Sequence, residues 1–236
     1  MGKQIKMDEL TKIKKWLEDT ADEPLKEMGS FFAARVEGYE EHMSVWKDCY
    51  KWMAQMIPER TQTLLDIGCG TGLELDEIFR LRPDLAVTGI DLEQAMLDRL
   101  RKKHGRRNLR CIRGDYFQVP FGEACFDPAV SFETLHHFKP EDKLIVFKKL
   151  YDSLKPGGCY LEVDYIAESE EMEEYLFAEC ARRRKKCGIP EDTFVHFDTP
   201  LTLEHEMELL REAGFGKVEC LGYSGESDTP LLRSVK

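Results

Sequence analysis

A chain of 236 residues with 42% hydrophobic content can bury one full core with room for an appendage, and leaves no length for a second catalytic domain. A formal net charge of −11 opposes wholesale binding to nucleic acid backbones. Met1 to Leu10 lacks an apolar core of signal-peptide length and no apolar run is long enough to span a bilayer, so the expectation is a cytoplasmic protein with no membrane contact.

The first 56 residues read as helical without a strand signal, and are expected to form an N-terminal flap (1–56) on a domain spanning 57–236. Asp8 to Asp19 places Leu10, Ile13, Trp16 and Leu17 on one face, and His42 to Met56 carries Val45, Trp46, Cys49, Trp52, Met53 and Met56 at similar spacing. Between them Pro24, Gly29 and Gly38 break the pattern and leave Phe31 to Tyr39 as a short helix and turn. From Thr63 strands and helices alternate, with strands near 63–67, 86–90, 109–113, 128–132 and 158–164. That alternation predicts an α/β fold with a doubly wound sheet. Pro128 fits a central strand only as its first residue, where a missing amide donor is tolerated. After Asp164 come a helical insertion (about 166–200, with its helix at 169–187), a helix at 202–213 ending in Ala213-Gly214-Phe215, and two last strands near 217–222 and 230–235.

The eight cysteines are scattered without a C-x-x-C pair, so neither a disulfide framework nor a metal site is expected. Two basic stretches, Arg99 to Arg110 and Arg182 to Lys186, run against the overall charge. The helix that ends in the second begins with acids, as the helix macrodipole favours. Nucleic acid contact therefore stays open but disfavoured.

The chemistry concentrates where the first strand of the sheet meets Gly68, Gly70 and Gly72. Glycines there allow unusual dihedrals and let a ligand approach the backbone. A dinucleotide loop reads G-x-G-x-x-G and seats a pyrophosphate on helix amides. Here the third glycine comes one residue early, and Asp66 would repel a phosphate while accepting hydrogen bonds from an ammonium or an ordered water. Asp91, ending the second strand, can take both hydroxyls of a ribose, or simply cap the helix starting near Glu93. Ribose recognition without a phosphate cradle suggests S-adenosylmethionine and disfavours a nicotinamide-dependent oxidoreductase.

In Asp66 to Gly72, Asp91, Gly114-Asp115-Tyr116, Phe126-Asp127 through Phe138, and Leu154 to Gly158, the sequence resembles the class I S-adenosylmethionine-dependent methyltransferases. The resemblance implies a seven-stranded sheet, mostly parallel, closed by an antiparallel edge hairpin. It implies cofactor contacts at Asp66, Gly68, Cys69, Gly70, Gly72, Asp91, Leu92 and Met96, with Asp115 at the adenine amine, Tyr116 beside the ring, and Phe132 and Glu133 at the end of the fourth strand. In related methyltransferases the N-terminal region closes over the cofactor, where Arg35 and Tyr39 could hold the methionine carboxylate.

Methyl transfer is an in-line displacement in which alignment can supply about 7 to 11 kcal/mol of the barrier, so a general base is optional. The base candidates are His136 and His137. Asp164 and Tyr165, after the fifth strand, are candidates to touch the acceptor, and Phe31, Phe32 and Phe138 could wall off the site. The expected acceptor is a small molecule, and the expected state a monomer or homodimer. The order of elements after the fifth strand is also similar to the carboxy-S-adenosylmethionine synthases of transfer RNA modification, whose cofactor-binding arginine has Arg211 as its nearest counterpart here. A non-catalytic S-adenosylmethionine-binding protein is the remaining alternative.

Overall fold

A computed structural model describes residues 9–224 and 229–236. Asp8, the expected start of the first helix, and all but the end of the Met1 to Leu10 stretch lie outside the described residues. In chain order the N-terminal part comprises helix α1 (Glu9–Asp19), strand β1 (Lys26–Glu27), α2 (Met28–Ala33), α3 (Tyr39–His42), a 3-10 turn (Met43–Trp46) and α4 (Lys47–Met56). The alternating part follows as β2 (Thr63–Ile67), α5 (Leu73–Leu81), β3 (Ala86–Asp91), α6 (Gln94–His104), β4 (Leu109–Arg113), β5 (Phe126–Phe132), α7 (Pro140–Ser153) and β6 (Leu154–Val163). The chain ends with α8 (Glu170–Cys187), β7 (Val195–His196), α9 (Leu203–Glu212), β8 (Lys217–Tyr223) and β9 (Pro230–Val235).

Seven strands form one sheet in the order β4-β3-β2-β5-β6-β9-β8. The first five are parallel, while β9 runs antiparallel to both β6 and β8. Strand order reverses direction between β2 and β5, and in open α/β sheets ligands bind at the carboxyl ends of strands beside that reversal. Side chains alternate across the sheet as the strand period requires. Leu64, Val87 and Val130 join Tyr50, Met53, Ile78 and Leu97 on the α4, α5 and α6 face. Leu65, Ile67 and Ala129 join Phe147, Leu150 and Leu210 on the α7 and α9 face. Each such fully buried Leu or Ile contributes about 1.5–3 kcal/mol relative to exposure.

Two sequence expectations need correction. The strand-free N-terminus is not strand-free, because β1 pairs antiparallel with β7 through Lys26–His196 and Glu27–Val195. A two-residue pairing is made by backbone and tertiary neighbours and leaves no alternation in the sequence. Pro128 does not head its strand, which begins at Phe126; a register shift between Phe126 and Pro128 places it at an irregularity where its missing N–H breaks no regular ladder. Cys49, Tyr50, Met53 and Ala54 of α4 belong to the main core.

Helix α1 packs on the insertion. Leu17 of α1 meets Met172 and Leu176 of α8, with Val195 and Phe197 completing a satellite core. Arg183 staples the two parts: its guanidinium donates to the Leu17 carbonyl at 2.6 Å and the Thr20 carbonyl at 3.2 Å while pairing with Glu179 at 2.8 Å. Cap and insertion thus sit together over the end of the sheet where the strand order reverses.

Candidate functional site

After β2 the chain turns within hydrogen-bonding reach of its neighbour strand: the Gly68 and Cys69 amides both donate to the Ile90 carbonyl, at 2.8 and 3.1 Å. Gly68 adopts φ +68°, and a Cβ there would lie 2.2 Å from Thr134 Oγ1. Gly72, the N-cap of α5, has φ +73°, and its Cβ would lie 2.4 Å from a Leu100 methyl. Both positions exclude a side chain by dihedral and by space.

Asp91 clamps this loop from below. Its Oδ2 accepts the Gly70 amide at 2.8 Å and its Oδ1 accepts the Glu93 amide at 2.7 Å. Burial nevertheless pushes its pKa up to about 6, the two amides only partly opposing the shift. Each carboxylate oxygen can accept a second hydrogen bond, so the clamp and a diol can be held together. Asp91 therefore holds the turns on either side of it, without capping α6, and faces the cleft as well.

The cleft above the loop is lined by ten of the fourteen expected cofactor residues: Tyr39, Gly68, Gly70, Asp91, Leu92, Met96, Asp115, Tyr116, Phe132 and Glu133. Asp115 accepts the Phe117 amide at 2.8 Å, and the Tyr116 hydroxyl donates to the Thr134 carbonyl at 3.2 Å. Lys149 fixes the same turn by donating to the Phe117 and Val119 carbonyls at 2.8 and 2.9 Å. Tyr39 reaches over the loop, its hydroxyl 3.4 Å from where a Gly70 Cβ would stand.

The other four lie elsewhere. Gly72 lies behind the loop, and Cys69 points into the core, its Sγ 2.9 Å from a Cβ built on Gly89. Asp66 is fully buried beneath the loop, not on the cleft wall. Burial, then the adjacent Glu74, raises its pKa well above the carboxylate range. Arg35 lies over the Phe31 ring at 3.6 Å and borders a neighbouring cavity, which it shares with Tyr39.

Beyond the end of β5 the chain strains. Glu133 has φ +49°, an uncommon conformation for a residue with a side chain. It lines the cleft and also two overlapping cavities of about 610 and 580 Å³ beneath the cap. Burial pushes its pKa up to about 8 although His136 pulls it down, and its Oε1 is buried without a partner.

His136 follows, its Nδ1 2.5 Å from Asp164 Oδ1. Burial disfavours the imidazolium, but Asp164 outweighs it and the pKa ends well above the ordinary histidine range. His137 goes the other way, lowered by burial and then by the charge of His136. His137 lines the cleft; His136 lines only the neighbouring cavities.

Asp164 corrects an expectation. It is buried at the end of β6, accepts the Leu135 amide at 2.8 Å and the Tyr165 amide at 3.0 Å besides meeting His136, and borders none of these cavities. It holds the loop from behind. Tyr165 does line the larger cavity. Of the aromatic wall, Phe32 and Phe138 line the cleft, while Phe31 stacks on His196 with ring centroids 3.4 Å apart.

Sequence reasoning missed Thr134, Phe194, His196 and Asp198. Thr134 was within reach, standing between the named residues Glu133 and His136. The other three sit in the insertion, brought over the cleft by the β1–β7 pairing and by the Met28 amide donating to the Phe194 carbonyl at 2.9 Å.

The residues present suit S-adenosylmethionine. A Cβ-free cradle runs along Gly68 and Gly70, Asp91 supplies acceptors for ribose hydroxyls, and a buried oxygen of Glu133, which lines the cleft, lacks a donor of the kind an ammonium brings. The arginine counterpart of the synthase reading does not share this place: Arg211 sits on an exposed face of α9, 3.6 Å from Glu204.

Residues 64–158 match the family model described as a methyltransferase domain. With the sheet order and the cleft, this assigns the chain to the class I S-adenosylmethionine-dependent methyltransferase superfamily. It is similar to a malonyl-acyl-carrier-protein O-methyltransferase from Herminiimonas arsenicoxydans, at 31% identity over 71% of this chain and 58% of the relative. It is also similar to the O-methyltransferase cnsE of Penicillium expansum, at 26% identity over 70% of this chain and 56% of the relative. The chain thus spans a little over half the length of these two relatives. Human N-acetylserotonin methyltransferase, solved with S-adenosylmethionine, shares the fold with a TM-score of 0.65 at 16% identity, covering 96% of this chain and 65% of that one. Among the described residues no helix is long and apolar enough to cross a membrane.

Proposed function

We propose that the chain is a methyltransferase that moves the methyl group of S-adenosylmethionine onto a small-molecule acceptor held in the cavities beneath the cap. The observation that carries this reading is the position of Glu133, which borders both the glycine-loop cleft and those cavities. A methyl donor in the cleft and an acceptor in the cavity would meet at that side chain.

When bound, S-adenosylmethionine supplies an electrophilic methyl on its sulfonium. Gly68, Gly70 and Asp91 would seat the donor, Asp115 and Tyr116 would flank its adenine, and Tyr39 would close over it. Phe32 and Phe138 keep water out of the cleft, and exclusion with alignment supplies most of what an in-line displacement requires. Where the acceptor carries a proton, His137, which lines the cleft and whose pKa is lowered, is the group placed to accept it, while His136, held charged by Asp164, is placed to orient the acceptor. Asp164 engages His136 Nδ1 and leaves Nε2 for the cavity side, the arrangement of a ring held by an orienting carboxylate.

The size of the cavities and the net charge of −11 support a small acceptor over a nucleic acid. The test has two parts. Calorimetry should give saturable binding of S-adenosylmethionine and S-adenosylhomocysteine and none of NAD. Release of S-adenosylhomocysteine should then be followed with panels of phenols, amines and carboxylic acids, and with transfer RNA and polypeptides. Turnover with a small molecule is expected. Turnover confined to the macromolecules would overturn the acceptor class, and binding without any turnover would favour a non-catalytic binding protein.

A further inference from the structure

We propose that His136, His137 and Asp198 form a binding site for a divalent transition-metal ion on the wall of the cavity beside Glu133. The inference rests on the side-chain cluster alone and is separable from methyl transfer.

Asp198 Oδ1 lies 3.2 Å from His137 Nδ1 and 3.6 Å from His136 Nε2, and the three atoms all fall within 4.8 Å of one another. Ligands bound about 2.0–2.2 Å from a common ion stand about 2.8–3.6 Å apart in octahedral or tetrahedral geometry, and both separations from Asp198 Oδ1 fall in that range. The same distances do not make a satisfied hydrogen-bond cluster. Asp198 Oδ1 is buried without a hydrogen bond of normal geometry, although two imidazole nitrogens face it. A carboxylate oxygen facing two ring nitrogens at these distances is placed to share one cation with them.

The surroundings favour a cation. Asp164 engages the opposite nitrogen of His136, the carboxylate–histidine support that fixes ring orientation in metal sites and raises ligand basicity. Glu133 Oε2 approaches the same ring at 3.7 Å, so three carboxylates surround one imidazole. Two imidazoles and a carboxylate suit zinc, cobalt, nickel or iron, whereas magnesium and calcium prefer all-oxygen sites. The cluster borders a cavity of about 580 Å³, which leaves coordination positions open to an oxygen or nitrogen donor of a second ligand. Sequence spacing could not reveal the site, because its carboxylate comes from the insertion and its histidines from the loop after β5.

The test uses the full-length protein stripped of metal with a chelator and titrated with Co²⁺, read by visible d–d absorption, with S-adenosylhomocysteine calorimetry on the same samples. A saturable band at one equivalent is expected, displaced by Zn²⁺. Asp198→Ala and His137→Ala should each weaken Co²⁺ binding by at least about tenfold. Absence of a saturable band in the unmodified protein, or an unchanged band in both variants, overturns the site. Thiolate charge-transfer bands in place of the d–d spectrum would assign the cobalt to cysteine and overturn it as well. A missing cobalt band with intact S-adenosylhomocysteine binding removes only the metal. A cobalt band without S-adenosylhomocysteine binding removes the cofactor reading and leaves the metal site standing.

Discussion

The carboxylate of Asp164 holds both the His136 ring, at 2.5 Å, and the Leu135 amide, at 2.8 Å, so one buried side chain at the end of β6 sets the backbone and the imidazole of the loop after β5. Asp164→Asn keeps an acceptor for the Leu135 amide and removes the charge opposite His136. Hydrogen bonds to charged groups contribute about 1.5–3 kcal/mol, so turnover should fall about 10- to 150-fold once an acceptor is in hand. The affinity for S-adenosylhomocysteine should stay within about twofold, because Asp164 does not border the cleft. Equal turnover in the two proteins would show that the ring needs no such support.

Asp91 accepts two backbone amides from its own loop and is also exposed to the cleft. If it additionally holds a ribose, Asp91→Ala should weaken S-adenosylhomocysteine binding by about 1–3 kcal/mol in calorimetry. Asp91→Asn retains an acceptor for one amide and should lose less. Unchanged affinity in both variants would reduce the residue to a clamp on the glycine loop.

Those two residues also mark how far the sequence could be read. The strands at Thr63–Ile67, Leu109–Arg113 and Pro230–Val235 lie where short apolar runs and turn residues put them, the first buried on both faces as a central parallel strand is. Asp91 was legible because a strand-ending acid after a glycine loop has few purposes. Asp164 was placed on the correct strand but given the wrong direction: only the folded loop after β5 decides whether a strand-end carboxylate looks into a crevice or behind it. His196 and Asp198 were not legible at all. They occupy an aperiodic stretch of the insertion, and the two-residue pairing of β1 with β7 that carries them over the cleft has no sequence period.

Asp127 offers a pH-dependent test of the fold away from the cleft. It accepts the Gln62 and Thr63 amides at 2.8 and 2.9 Å and pairs with Lys155 at 2.8 Å. Burial opposes its ionisation, but these partners outweigh it and hold its pKa down to about 2. A carboxylate depressed in the folded state stabilises above its unfolded pKa, about 3.9, and that contribution disappears as pH falls through the folded value. Solvent at its edge limits the contribution to less than about 2 kcal/mol. The melting temperature of the unmodified protein should therefore exceed that of Asp127→Asn at about pH 6, and the gap should close between about pH 5 and about pH 2. A gap independent of pH would assign the difference to lost hydrogen bonds alone.

Lys143 of α7 and Glu206 of α9 form an ion pair with Nζ–Oε distances of 2.6 and 2.7 Å and side chains only 1% and 2% exposed. Two charges at that depth lose most of their hydration, and their attraction roughly returns it, so the pair adds little net stability while either partner alone is costly. Lys143→Met should destabilise the protein by about 3–5 kcal/mol in denaturant unfolding, since Glu206 is left buried without its cation. The double variant Lys143→Met, Glu206→Leu should recover most of that loss, because two apolar side chains of similar volume need no partner. Glu162, buried within the same charged neighbourhood, sets the limit of the recovery: without Lys143 it too loses a compensating charge. A double variant no more stable than the single one would place that third carboxylate, and not Glu206, as the group that Lys143 chiefly serves.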